Sequence, residues 1–266
     1  MAQPLQLLAE LVRREKICED VYRLTFSAPL IAAQAKPGQF VMVRAGVGFD
    51  PLLRRPFSLH QVTGEGKLQI LFKVVGKGTR LLALLQVGER LDINGPLGQG
   101  FKMPRPGKVC LVGGGMGIAP LLFLAKELAR KGEGIDLQVF LGARNKSELL
   151  ELTANFESLG LQPRLASDDG SIGHHGLVTE LLRGEAGEEV QVFCCGPTPM
   201  MKAVARICRG HGWPCQVSLE TEMACGVAAC LGCAVERAGS GPEGVLPYLH
   251  VCKDGPVFEA SELSWT

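Results

Sequence analysis

"GKVCLVGGGMGIAPLLFLAKELARK", residues 107–131, decides the architecture of this chain. Val109 to Val112 is a short apolar run of the kind that fills a buried parallel strand. Gly113, Gly114, Gly115 and Gly117 follow at once. Pro120 then stands just inside a segment whose apolar residues recur at helical spacing. A strand that meets a helix through glycines offers free backbone N–H groups to a dinucleotide's phosphates. The strict G-x-G-x-x-G fingerprint is not met, because Ile118 occupies the third glycine's place. Nor does an acidic residue close the second strand: "LGARNK" puts Arg144 and Lys146 there, and Arg144 could favour a 2′-phosphate. The residues alone leave NAD and NADP both open, and a glycine turn that binds nothing is the bland alternative.

Outward from that unit towards the carboxyl end, the rhythm repeats as far as about residue 212. "DLQVFL" reads as a strand and "NKSELLELTANFESLG" as a helix, with Asn145 and Glu148 at N-cap and N3 spacing. "QPRLAS", "LVTELLRG", "EVQVFC" and "PMMKAVARICRG" continue the alternation. Residues 104–212 are therefore expected to form an α/β domain, a parallel sheet with helices on both faces. "FCCGPTPMM" ends its last strand, so Cys195, Gly196 and Pro197 fall at a carboxyl edge, where open sheets bind ligands. Cys195 could touch a nicotinamide there, while Cys194 points to the core, because strand neighbours alternate sides.

Towards the amino end, residues 1–103 read as extended runs broken by turns. "VYRLTFSA", "QFVMVRA", "FSLHQV", "KLQILFKVV" and "ERLDING" suggest a small antiparallel β-barrel, interrupted by one short helix beginning at Thr79. Within it, "RRPFS" places four chemically distinct groups together. Arg55 is a fork of donors suited to a pyrophosphate, and Pro56 stiffens the strand. Phe57 could lie against a flat ring, and Ser58 could donate to a ring nitrogen. An edge strand with a core phenylalanine is the alternative. "FKVVGKGTRLL" adds a second anion-competent feature, a helix start approached through Gly76 and Gly78 with the Thr79 hydroxyl beside it.

Beyond residue 212, "MACGVAACLGCAV" (residues 223–235) gathers Cys225, Cys230 and Cys233. Their C-x4-C-x2-C spacing, with a distant fourth cysteine, is the plant-type [2Fe–2S] arrangement. The fourth ligand is expected to be Cys252, with Cys215 as its rival. Zinc is the rival metal, although structural zinc usually takes two short cysteine pairs and only one occurs here. A segment of the length of residues 213–266 buries little core alone, and such a staple would hold it. Cys18, Cys110 and Cys208 read as ordinary buried small hydrophobes.

The totals fit this division. The chain has 266 residues and a net charge of +1, so no basic face advertises nucleic acid. The opening "MAQPLQLLAELVRREKICED" is charged too early for a signal peptide, and no uncharged apolar run spans a membrane. A cytoplasmic address is expected, where ten cysteines suit metal or redox use better than disulfides.

Taken in order, "RPFS", "GKGT", "GGGMGIAP", "CGP" and C-x4-C-x2-C with a late cysteine resemble the ferredoxin–NADP reductase superfamily. Within it, the chain is similar to the electron-transfer subunits of NAD-dependent, heteromeric (class 1B) dihydroorotate dehydrogenase. The likeness covers nearly the full length, including "DDGSIGHHGLVT" and "CKDGPVF". It implies that Arg55, Pro56, Phe57, Ser58, Leu71, Phe72, Lys73, Gly78 and Thr79 bind FAD. It implies an NAD site lined by Gly113, Gly114, Gly115, Gly117, Cys195, Gly196 and Pro197, and a [2Fe–2S] cluster on Cys225, Cys230, Cys233 and Cys252. It also implies a partner, an FMN-containing catalytic subunit, in a heterotetramer with two of each chain, serving pyrimidine biosynthesis. Two positions depart from the family's habit. Ala228 stands where glycine is common, which would restrict the loop if φ is positive. Lys73 stands where arginine is frequent, which keeps the charge and loses the fork. Related subunits of sulfide dehydrogenase, hydrogenase or NADH–ferredoxin oxidoreductase share this layout, and a non-catalytic redox sensor is the alternative of another class.

Overall fold

The computed structural model describes residues 4–46, 48–131, 133–185, 187, 189–239 and 247–265. Its first layer is a closed barrel. β1 (Leu5–Cys18) and β2 (Val21–Ser27) lead through the short helix α1 (Pro29–Ala32) to β3 (Phe40–Val43), β4 (Arg55–Val62) and β5 (Lys67–Lys73). Helix α2 (Lys77–Leu84) precedes β6 (Arg90–Leu97), and the barrel order is β1-β2-β5-β4-β3-β6. Closure comes from β1, which pairs antiparallel with both β2 and β6. That opening stretch carries no clear strand signal in the sequence. Only Ala9 and Leu11 of β1 are buried, and Leu7 and Leu8 stand adjacent with charges crowding the second half, so its sequence shows no clean apolar alternation. Helix α2 begins at Lys77, two residues before the expected start, because extended Gly76 serves as its N-cap.

The second layer follows the anticipated alternation: β7 (Gly107–Gly114), α3 (Ile118–Lys131), β8 (Ile135–Ala143), α4 (Lys146–Glu157), β9 (Arg164–Ser167), β10 (His174–His175), α5 (Val178–Arg183), β11 (Val190–Cys195) and α6 (Thr198–His211). The Asn145 side chain accepts from the Glu148 N–H at 3.2 Å, so this half of the expected capping box forms. Helices α3 and α4 cover one face of the sheet with Leu121, Leu128, Leu149 and Phe156, while α5 and α6 cover the other with Leu182, Met201 and Val204. The sheet does not stop at residue 212. β12 (Cys215–Ser218) pairs parallel with β11, and after the hairpin β13 (Ala234–Glu236) and β14 (Tyr248–His250), β15 (Val257–Glu259) pairs antiparallel with β12. The order is β10-β9-β8-β7-β11-β12-β15. The carboxyl segment thus shares the sheet and its core, to which it gives Val217, Leu249, Val251 and Phe258. Among the described residues no helix is long and apolar enough to cross a membrane.

Barrel and sheet are locked by α3. Phe123 inserts into the barrel's own core, and the His60 Nδ1 of β4 lies 3.0 Å from the Ala119 carbonyl oxygen. Arg23 of β2 donates to the Asn155 side chain at 2.9 Å. Burial pushes the His60 imidazole down from 6.5 to about 4, outweighing its bond to Ala119, with Arg23 lowering it further and Glu15 opposing. The unfolded chain takes this proton below about pH 6.5 and the folded chain only near pH 4. The linkage therefore removes stability as pH falls through that window, by on the order of 3 kcal/mol at its acid end. Urea midpoints measured across the window should fall with pH, and His60→Gln should flatten the fall; an unchanged slope in the variant would refute the assignment.

Candidate functional site

One cavity, of about 330 Å³, opens along β4 and β5. Arg55, Pro56, Phe57, Ser58, Leu71, Phe72, Lys73 and Thr79 all line it. The Phe57 and Phe72 rings sit 5.5 Å apart on its wall. Gly78 stands behind Arg55: a Cβ there would lie 3.1 Å from Arg55 Nε, so glycine lets the guanidinium rest against the first turn of α2. Thr79 Oγ1 accepts the Val75 and Gly76 N–H groups at 3.0 and 3.1 Å and orders the approach to that turn. Further lining residues carry no motif in the sequence. They include Met116 of the glycine turn, Ala119 of α3, and Leu219, Glu220, Thr221 and Met223 from the segment after β12. Burial pushes the Glu220 carboxyl up. "SLETEM" carries no periodicity, and only its position directly before the cysteines could have flagged it.

A second cavity, of about 480 Å³, lies at the carboxyl ends of β7, β8 and β9. Gly114, Gly115 and Pro197 line it, whereas Gly113, Gly117, Cys195 and Gly196 do not. Those four lie behind the lining, and two of them, Gly117 and Gly196, let the two turns come close. A Cβ on Gly117 would stand 2.3 Å from the backbone C and O of Cys195, and one on Gly196 would stand 2.5 Å from Met200 Cε. Cys195, expected beside the nicotinamide, is wholly buried and lines neither cavity. Burial pushes its thiol well up, Glu220 adds to this, and a hydrogen bond with Ser218 opposes it. Cys194 faces the core as anticipated. The two cavities meet at Lys73 and Met116, which line both.

The cysteines of the carboxyl segment come together in two pairs. Cys225 and Cys230 interact through their side chains, and the Cys230 N–H donates to Cys225 Sγ at 3.4 Å. Cys233 and Cys252 form the second pair, with the Cys252 N–H donating to Cys233 Sγ at 3.4 Å. The Ala228 N–H donates to Cys252 Sγ at 3.2 Å and links the pairs. Burial raises the Cys225 thiol, but N–H groups of Cys230, Val227 and Ala229 outweigh it and bring it down to about 6. Such donors favour thiolate. Burial and the Cys233 thiol push Cys252 up to about 12. Among the described residues no group of three or more His, Cys, Asp or Glu is arranged for a single metal ion. A two-iron cluster asks for two cysteines on each iron, and the pairing fits that demand. Cys215 lies elsewhere, hydrogen-bonded to Cys208 in the core.

Ala228 has φ 61°, in the left-handed region. An L-residue there costs roughly 1–2 kcal/mol, part of which a glycine returns as unfolded-state entropy. Ala228→Gly should therefore stabilise the cluster-loaded chain by about 0.5–1 kcal/mol. Thermal melts under anaerobic conditions check this, and a lowered midpoint would contradict it.

A barrel with an arginine-edged aromatic cavity, a parallel sheet with a glycine-turn cavity beside it, and a paired-cysteine loop define a flavin- and nicotinamide-linked iron–sulfur oxidoreductase of the ferredoxin reductase fold. Comparison with known proteins agrees. Family models described as "Oxidoreductase FAD-binding domain", "Oxidoreductase NAD-binding domain" and "Iron-sulfur cluster binding domain of dihydroorotate dehydrogenase B" match residues 8–101, 111–206 and 220–264. The dihydroorotate dehydrogenase B (NAD(+)) electron transfer subunit of Desulforamulus reducens is 42% identical over 94% of this chain and 94% of its own length. That of Geobacillus thermodenitrificans is 41% identical over 95% and 96%. Among solved structures, a chain of NADH-dependent reduced ferredoxin–NADP oxidoreductase superposes with a TM-score of 0.84 at 34% identity, over 97% of this chain and 90% of that one. A ferredoxin NADP+ reductase from Neisseria gonorrhoeae, at 17% identity and a TM-score of 0.65 over 80% of this chain and 93% of that one, shares the fold. The chain belongs to the family of dihydroorotate dehydrogenase B electron transfer subunits.

Proposed function

We propose that this chain carries electrons between NAD(H) and a partner protein, through FAD held by the barrel and a [2Fe–2S] cluster held by Cys225, Cys230, Cys233 and Cys252. One observation carries the reading. The barrel cavity shares Lys73 and Met116 with the nicotinamide cavity, and is also lined by Leu219, Glu220, Thr221 and Met223, the last of them two residues before Cys225. A flavin, when bound, supplies the exchange between a hydride's electron pair and the single electrons that an iron–sulfur cluster carries. The chain's own groups bind and orient. Arg55 with Gly78 and Thr79 at the start of α2 would hold the flavin's pyrophosphate. Pro56, Phe57, Ser58, Leu71, Phe72 and Lys73 would seat its ring system. Gly113, Gly114, Gly115, Gly117, Cys195, Gly196 and Pro197 would shape the NAD cradle, the buried members from behind. Backbone N–H groups on the cysteine sulfurs would stabilise their negative charge. No side chain needs to act as nucleophile or base. Residues 1–103, 104–212 and 213–266 serve as the three functional units, the last built onto the sheet of the second.

The curated relatives are named as electron transfer subunits of dihydroorotate dehydrogenase B, and on that basis the partner is an FMN-containing catalytic subunit that oxidises dihydroorotate. Flow then runs towards NAD+, in a cytoplasmic heterotetramer with two of each chain. Likeness to the ferredoxin–NADP oxidoreductase chain favours a second reading, with a different partner. Co-expression with the FMN-bearing subunit separates them. The first reading expects a stable complex in which dihydroorotate reduces NAD+ only when both chains are present. Absence of a complex, together with NADH-driven ferredoxin reduction, would support the second.

A further inference from the structure

The second strand of the dinucleotide-binding unit, β8, lacks the acidic residue that ordinarily reads the ribose at its end, and carries Arg144 instead. The fold brings an acid to that strand end from the following helix. Glu148, in the first turn of α4, turns back towards the strand end. Its carboxylate pairs with the Arg144 guanidinium, accepts the Arg144 backbone N–H at 3.4 Å, and accepts from Lys73 Nζ at 3.0 Å. Arg144, Lys73, Glu148 and Asp168 are the charged residues in the cavity wall, two of each sign. Lys146, the other cation after β8, is not in the wall.

We propose that Glu148 sets the preference for NAD over NADP, by engaging Arg144 so that its guanidinium is not free to neutralise a 2′-phosphate, while Lys73 stays with the flavin side of the cavity. The inference rests on the larger cavity being the dinucleotide site. A phosphate entering there meets cations already paired, and Asp168 faces it as well. Its negative charge would have to displace one carboxylate and approach another, which is unfavourable on both counts. A ribose with a free 2′-hydroxyl meets no such penalty, and a carboxylate is an acceptor for it. Arg144 is thus a cation held out of service by its neighbour.

The test uses the FAD-loaded chain and two probes without a nicotinamide, adenosine 2′,5′-bisphosphate and 5′-AMP, titrated by calorimetry. Glu148→Gln keeps the shape and removes the charge. It should tighten the bisphosphate by about tenfold, equivalent to about 1.4 kcal/mol, while 5′-AMP changes by less than about threefold. Adding Arg144→Gln to that variant should remove the gain, because the freed guanidinium is what binds. The ratio of NADPH to NADH kcat/KM should move in the same sense. Unchanged bisphosphate affinity in Glu148→Gln, or a gain that survives loss of Arg144, would overturn the proposal. Failure of both probes to bind any variant would overturn it together with the cavity assignment, and would leave the flavin and cluster assignments untouched.

Discussion

Cys252→Ser should yield protein that is still yellow but holds no iron–sulfur cluster. Cys252 is buried, shares a hydrogen bond with the Cys233 thiol and accepts the Ala228 N–H, so it is tied to both members of its surroundings. Removing it leaves one iron with a single thiolate, and a hard hydroxyl is a poor substitute for a soft sulfur ligand. The groups assigned to the flavin, from Arg55 to Thr79, lie on β4, β5 and α2, so flavin content and NADH-dependent dye reduction should be kept. Iron analysis of anaerobically purified protein should fall close to zero, and electron delivery to the partner should be lost. Cys215→Ser is the control, since Cys215 sits with Cys208 and Cys194 in the core. It should keep its iron. Iron retained by the Cys252 variant and lost by the Cys215 variant would exchange the two assignments.

Gly117→Ala should be the most damaging methyl group that can be added to the dinucleotide turn. The new Cβ would meet the Cys195 carbonyl group at 2.3 Å and the Gly196 nitrogen at 2.5 Å, and backbone cannot rotate out of the way as a side chain can. The glycine turn and the Cys195–Pro197 turn must therefore separate. Overpacking of this sort costs about 1–3 kcal/mol. Displacement of the cofactor by about 1 Å costs on the order of a hundredfold in rate. Gly115→Ala is the matched control. Gly115 has φ +53° but no atom within 4 Å of its would-be Cβ, so only backbone strain applies. Thermal melts and NADH kcat/KM for the pair should show a lower midpoint and the larger activity loss at Gly117. Equal effects at the two positions would mean that close approach is not what Gly117 provides.

What the sequence made legible follows from where periodicity is strong. Strands β2 to β6 alternate or run apolar, and α3, α4 and α6 keep a helical stripe, so both layers could be read directly. β1 escaped because Leu7 and Leu8 are adjacent and charges crowd its second half, so a strand half-open to water leaves no clean period. The share of the sheet that lies beyond residue 212 escaped because β12 and β15 are four and three residues long and flanked by irregular chain. Candidate site residues set by local chemistry, such as Arg55 or the cysteines, could be named from the sequence. Those set by tertiary approach could not: Glu220 and Met223 reach the barrel cavity from another unit, and Glu148 reads locally as a capping residue while it also lines the second cavity. Cys195 shows the converse, a residue at the right strand end whose side chain points away from the ligand face.

Electrons from NADH should reach the cysteine-bound iron only by way of the flavin between them. Rapid-freeze EPR of the purified chain, mixed anaerobically with NADH before and after removal of FAD, tests it most directly. With FAD in place, the reduced-cluster signal should grow after the flavin absorption falls; without FAD, NADH should raise no signal, although dithionite still does. A cluster signal that NADH produces equally fast in flavin-free protein would contradict the account.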